Sequence, residues 1–160
     1  MRASRSIVTA SWRLLLIACL GATIAARVDR RIVDRVTIGD IRSEQDHASA
    51  GEDVTTGVAG GRAFRQARGW MRYALAVFDD TEVTVACTFL GSDLPQTFDL
   101  LIENHLVTSY TFRSAETTTV EFRVPLGLTK GRTNILVVLL ATTGPTPSLL
   151  ELRSVQDHNE

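Results

Sequence analysis

"EVTVACTFL", residues 82–90, decides the fold. Val83, Val85, Cys87 and Phe89 fall on one side of an extended chain, against Glu82, Thr84, Ala86 and Thr88 on the other. Successive side chains of a strand point to opposite faces, so this alternation marks a strand with one face on a core. The same period recurs upstream. In "GWMRYALAVF" (69–78), Met71, Tyr73, Leu75 and Val77 share a phase, and Asp79-Asp80-Thr81 reads as the turn that follows.

Downstream, "TFDLLI" (97–102) aligns Phe98, Leu100 and Ile102, and "TTVEFRV" (118–124) aligns Val120, Phe122 and Val124. Glu103-Asn104-His105 separates "TFDLLI" from "LVTSYTF" (106–112). Asn tolerates the left-handed backbone of tight turns, so 97–112 is predicted to be a hairpin with Asn104 at its tip. "NILVVLLA" (134–141) is apolar on both faces, the pattern of a central strand covered on both sides. Pro145 and Pro147 interrupt the chain before a last short strand, "LLELRSV" (149–155), and "RVTIGD" (35–40) supplies the first. Seven or eight short strands, with turn residues between them and no convincing helix, predict an all-β antiparallel sandwich. An up-and-down barrel is the less economical alternative.

Residues 1–26 carry Arg2, Arg5 and Arg13, no acid, and an apolar run from Leu14 to Ala25 followed by Ala26. A positive start, an apolar middle and small residues at the end describe a secretory signal peptide. The run is shorter than the ~20 residues a bilayer span needs. Export is therefore expected, with no membrane span in the mature chain. Leu16-Ile17-Ala18-Cys19 has the shape of a lipoprotein signal, which would anchor the chain through Cys19, although the residues after Cys19 stay apolar. A mis-assigned start is the other alternative. The expected layout is a signal segment at 1–26, a charged tether at 27–34, the sandwich at 35–155 and a disordered tail at 156–160.

Loss of the leader removes three Arg and no acid, taking the net charge from −1 to −4. That mild acidity argues against nucleic acid, whose binders cluster positive charge. In "RVDRRIVDR" (27–35), Asp29 and Asp34 alternate with the Arg, so the field largely cancels within a Debye length of about 10 Å. Cys19 lies in the leader, which leaves Cys87 alone in the domain, on an apolar phase where a thiol behaves as a small hydrophobe.

The one chemically loaded stretch is "SEQDHASAGEDVTTG" (43–57). Asp40, Glu44, Asp46 and Asp53 could supply oxygens to calcium, but no D-x-D-x-D-G spacing is present. A single His47 without a nearby Cys suits zinc poorly. The preferred reading has no cofactor: a solvated loop in which Ser43, Asp46 and Asp53 bond their own backbone. His47 is expected at the rim, bonded to backbone or to an acid. Catalysis finds no support either. There is no G-x-S-x-G elbow, and His47, His105 and His158 fall in a loop, a turn and the tail. Adjacent Asp79 and Asp80 cannot straddle a glycosidic bond as paired carboxylates must. A sugar platform would need exposed rings. Trp70 lies opposite the phase of Met71 and Tyr73, while Tyr110 and Phe112 share a face that could line a shallow patch. Packing of Trp70 beneath a loop at 58–68 is the simpler reading.

The series "VDRVTIGDIRSEQDH", "FRQARGWMRYALAV", "VACTFLGSD", "TFDLLIENHLV", "VEFRVPLGLTKGRTNILVV" and "LLELRSV" resembles one module over residues 33–155. That module is the uncharacterised C-terminal β-sandwich of bacterial family 127-type, β-L-arabinofuranosidase-like glycoside hydrolases. Its most specific pieces here are Ser43-Glu44 with Asp46-His47, Gly69-Trp70, Thr97-Phe98-Asp99 and the run from Pro125 to Gly131. The resemblance implies a non-catalytic, exported accessory module of jelly-roll or carbohydrate-binding-module-like fold without its catalytic domain, serving as a scaffold or docking module, with weak carbohydrate binding as the lesser option. Its partners would be a plant-type polysaccharide or a glycoside hydrolase. Two departures stand out: Phe64 and Gln66 replace a Trp and an acid of the family's "R-x-W-R-D-A", and Phe89-Leu90-Gly91 replaces "Y-W-G". A general protein-interaction or adhesion domain, or a truncated remnant of a larger hydrolase, are the alternatives.

Overall fold

The computed structural model describes residues 29–78 and 81–158. Nine strands run through them: β1 (Asp29–Thr37), β2 (Ala50–Ala59), β3 (Arg62–Ala76), β4 (Val83–Phe89), β5 (Gln96–Ile102), β6 (His105–Phe112), β7 (Thr118–Val124), β8 (Asn134–Thr143) and β9 (Leu149–His158). Two short helices, α1 (Ile41–Asp46) and α2 (Leu126–Thr129), sit in connections. All pairings are antiparallel, in the order β6-β5-β8-β3-β9-β4-β7, with β2 added on β3 and β1 on β9. The β3–β9 joint is a single residue pair, Arg65 with Leu149. The ladder therefore folds at that corner into two layers, β6-β5-β8-β3-β2 and β1-β9-β4-β7.

The alternation seen in the sequence is what fills the space between them. Met71, Tyr73 and Leu75 of β3 stand beside Leu139, Val137 and Ile135 of β8, and all six are buried. From the other layer come Val83, Val85, Cys87 and Phe89 of β4, each fully buried. Aromatic rings stitch the layers together. Phe89 of β4 lies 5.5 Å edge-on from Phe98 of β5, and Phe98 lies 6.1 Å from Phe122 of β7. Tilted and edge-on rings at these separations add to their area burial. Desolvation pushes the Cys87 thiol well above its ordinary pKa, so it stays protonated and inert.

The predicted hairpin at 97–112 is present, with Glu103 and Asn104 at φ 52° and 63°. Two positive φ values in a two-residue connection make the mirror-image turn that matches strand twist. Gly60 and Gly61, at φ 56° and 75°, make the same turn between β2 and β3. The strands it joins, 50–59 and 62–68, were expected as loop. They escape the period-two test because β2 is an edge strand whose residues are all at least partly exposed. A bulge at Asp53 (φ 52°) then shifts its phase.

Three further expectations are corrected. The tether at 27–34 is a strand from Asp29 onward, and its charges are not spent on one another. Arg30 pairs with Glu121 of β7 at 3.0 Å, and Asp34 turns to His47. The tail at 156–160 continues β9 to His158, because Gln156 is a clamp rather than a solvated residue. Its Oε1 accepts from Phe78 N at 2.7 Å, and its Nε2 donates to Phe78 O at 2.9 Å and to Thr81 Oγ1 at 2.7 Å. The third is β8, which is central but covered on one face only: Leu140, on the other, is 36% exposed. The signal segment and the Asp79-Asp80 part of the turn lie outside the described residues.

Gln156→Ala should destabilise the domain by about 2 kcal/mol, because Phe78 loses partners for both its backbone groups. Denaturant unfolding measures this, and an unchanged midpoint would mean that the end of β9 carries no structure.

Candidate functional site

The loaded stretch folds as a lock at the exit of β1. The chain turns at Gly39 (φ 87°), where an added Cβ would meet the Ala63 Cβ at 2.4 Å. Asp40 then caps α1, its Oδ1 accepting from Arg42 N at 2.9 Å and Ser43 N at 3.2 Å. Ser43 Oγ accepts from Thr37 N at 2.9 Å, and Glu44 Oε1 accepts from Gly39 N at 3.1 Å. These bonds reach back to the strand and turn that precede the helix, satisfying donors that the turn leaves unpaired. Asp46 is exposed and has no such bond among the described residues.

His47 ties the lock to β1 and β3. Its carbonyl accepts from Ala74 N at 2.7 Å. Its ring Nδ1 faces the Ser43 carbonyl, and Nε2 lies 3.1 Å from Asp34 Oδ1, whose other oxygen accepts from Ala76 N at 2.7 Å. A carbonyl and a carboxylate can only accept, so this pair of partners favours the form of His47 with a proton on both ring nitrogens. Burial alone would lower its pKa, but the Ser43 carbonyl and the Asp34 carboxylate outweigh it and raise the value above 6.5. Burial likewise works against the Asp34 charge, yet bonds from Ala76, His47 and Arg35 hold its pKa below 3.8.

Beside this lock lies a recess of about 340 Å³ between α1 and the β2–β3 hairpin. Ile38, Ile41, Val58 and Phe64 form apolar walls, and Glu44 and Arg65 are polar groups on its lining. Arg65 Nη2 donates to Glu44 Oε2 at 2.5 Å, with the side chains 25% and 10% exposed. Glu44 thus spends one oxygen on the turn and the other on Arg65. Arg65 has five N–H donors in a planar fork, and this bond is its one side-chain partner among the described residues. Phe64 is seated by its cross-strand neighbour Gly57, where any Cβ would strike the ring at 2.6 Å. The segments Ser43–His47 and Arg62–Ala67 therefore meet here. Sequence reading placed Glu44 in the loop but missed Arg65, because the polar edge strand between them hid the hairpin.

The ring platform is not assembled. Phe112 is 1% exposed, and Tyr110 is half-buried with its ring 5.3 Å edge-on from Phe122. The two do share a face, but it is the face toward the core. Trp70 is on the outer face of β3, not beneath a loop. Its Nε1 donates to Glu52 Oε2 at 2.9 Å, and the Arg72 guanidinium stacks 5.6 Å from its ring centre. Asp40, Glu44, Asp46 and Asp53 do not form a ligand set: no group of three or more His, Cys, Asp or Glu among the described residues is placed to hold a metal ion. A second recess, of about 410 Å³, lies on the outer face of the β1-β9-β4-β7 layer, lined by Arg30, Glu82, Thr84, Glu121, Arg123 and Asp157. The Arg30–Glu121 pair across it is nearly half exposed on both sides, where such pairs contribute about 0–1 kcal/mol. It has no apolar wall.

The His47–Asp34 pair makes stability depend on pH from two sides. The His47 contribution is present in full below 6.5 and is lost as pH rises through its raised folded-state value. The Asp34 contribution is present in full above 3.8 and is lost as pH falls through its lowered value. Melting temperature should therefore peak between these limits and fall through neutral pH. In His47→Gln the fall on the alkaline side should flatten, and an unchanged profile would show that the ring is not charged in the fold.

No curated protein matches the chain by sequence. Among solved structures, a family 35 carbohydrate-binding module from Clostridium thermocellum superposes with a TM-score of 0.51 at 10% identity, over 79% of this chain and 97% of that one. A family 35 module from Paenibacillus barcinonensis gives 0.51 at 11% identity, over 66% and 91%. An exo-β-1,3-galactanase from Phanerochaete chrysosporium gives 0.52 at 7% identity, over 79% of this chain and 29% of that one. At such identities the likeness is one of fold: the chain shares the sandwich of these modules. Residues 27–154 match a family of unknown function, DUF6805, and the chain belongs to that family.

Proposed function

We propose that the chain is a non-catalytic accessory module that binds carbohydrate in the recess between α1 and the β2–β3 hairpin. The observation that carries this reading is the Glu44–Arg65 pair set among apolar walls. A small-molecule site combines apolar lining with a few fixed polar groups. A sugar needs an apolar surface for its C–H face and fixed donors for its hydroxyls. Phe64 and Val58 offer the first, and the unspent N–H groups of Arg65, held in place by Glu44, offer the second. At about 340 Å³ the recess is near the lower end of small-molecule sites, ~300–1,000 Å³, which suits the end of a glycan better than a long internal stretch.

The fold shared with family 35 carbohydrate-binding modules supports this reading. So does the sequence likeness to modules appended to family 127-type hydrolases, which points to plant-type polysaccharide as ligand and to such an enzyme as partner. Export through the signal-like leader belongs to the same proposal.

Calorimetry and a glycan array on the full chain test it. Binding to a plant arabinan or its oligosaccharides is expected. Phe64→Ala and Arg65→Gln should each weaken it by tenfold or more, about 1.4 kcal/mol, with circular dichroism checking that each variant is folded at the temperature of the assay. Absence of heat with every polysaccharide tested, or binding untouched by both variants, would overturn the proposal.

A further inference from the structure

The outer face of the β6-β5-β8-β3-β2 layer is apolar where a solvated sheet should be polar. The inward residues of β8, Ile135, Val137 and Leu139, are at most 1% exposed. The residues between them, Leu136, Val138 and Leu140, point the other way. Cross-strand register makes them one patch. Leu140 stands between Trp70 of β3 and Asp99 of β5, and Val138 between Arg72 and Leu101. A bulge at the β5–β6 pairing turns Leu106 onto the same face, where it is 60% exposed. No described element lies over this surface. Contiguous apolar patches on a protein surface mark interaction sites.

The charges beside the stripe say what fits it. Arg72 flanks it on the β3 side, stacked on Trp70, and meets no carboxylate within 4.0 Å among the described residues. Asp99 flanks it on the β5 side, accepting from Ser109 Oγ at 2.5 Å, and likewise pairs with no cation among the described residues. One strand, β8, separates the two. Rotating a copy of this sheet by half a turn about an axis along β8 keeps the Leu stripe on itself and exchanges the flanks. The Arg72 side of each copy then lies over the Asp99 side of the other, one rung away. Sheets stack about 10 Å apart, within reach of an Arg side chain.

We infer that this face is an isologous interface for a second copy of the chain, with the Leu136–Val138–Leu140 stripe at its centre and two symmetry-related Arg72–Asp99 pairs at its rim. Such two-fold contacts use one patch twice and close after two subunits. The desolvated Leu stripe supplies the attraction, and the opposed charges set the register.

Sedimentation and light scattering on the full chain, from about 1 to 200 µM, test the inference. A reversible dimer is expected. Leu140→Glu, which alters only an outward side chain, should weaken it by tenfold or more while leaving the melting curve of the dilute monomer in place. Arg72→Asp and Asp99→Arg should each weaken it, and the double reversal should restore it. A monomer throughout the range would overturn the inference, as would association indifferent to Leu140→Glu or single reversals that the double variant does not rescue. If Leu140→Glu fails to fold, the reversal pair decides alone.

Discussion

The structure depends on one row of burial. Phe89, Phe98, Phe112 and Phe122 come from four different strands, two in each layer, and close edge-on or tilted upon one another in the interior. Nothing else joins the layers as firmly: the backbone ladder crosses between them at one residue pair, Arg65 with Leu149. Side chains of Asp34, Ser154 and Gln156 add bonds to the end of β3, but between the faces the sandwich is held by what they exclude from water. This explains why every strand but the edge strand β2 sends side chains into full burial, and why the lone thiol of Cys87 is silent.

That same condition decides how much could be read beforehand. Strands with one dry and one wet face announce themselves, and β7 falls where the alternation of "TTVEFRV" puts it. The hairpin at Asn104 was equally legible, since few residues accept its backbone. Strands lacking that contrast were not. β2 is partly wet on both faces and carries a bulge, so its Thr and Gly residues read as loop. The Gly60-Gly61 turn was a visible signal, outweighed by the polarity around it. The first residues of β1 and the last of β9 were missed for another reason. Their charged and amide side chains find partners far along the chain, in Glu121 and Phe78, and such pairings leave no local trace.

The site divides in the same way. The Asp40–His47 segment stood out by composition, but the solvated loop expected there is a short helix bonded back to β1 and its turn through Asp40, Ser43, Glu44 and His47, while Asp46 makes no such bond among the described residues. What composition could not supply was the other wall. Arg65 and Phe64 belong to a strand whose existence was hidden, so an acid that looked like a possible ion ligand is in fact the seat of a guanidinium. The aromatic pair chosen as a sugar platform failed for a simple reason. A shared strand face is visible in sequence, but whether that face is the inner or the outer one is settled by neighbouring strands.

Asp29 pairs with His158, so the two ends of the described chain leave the domain side by side. From that point β1 runs nine residues, about 25 Å at the rise of a strand, before it reaches the turn at Gly39 that borders the recess. Entry and exit thus share one pole, and the recess faces out from the other. A body of this shape can be spliced to a neighbour, or into one, through a single narrow stem without covering that recess.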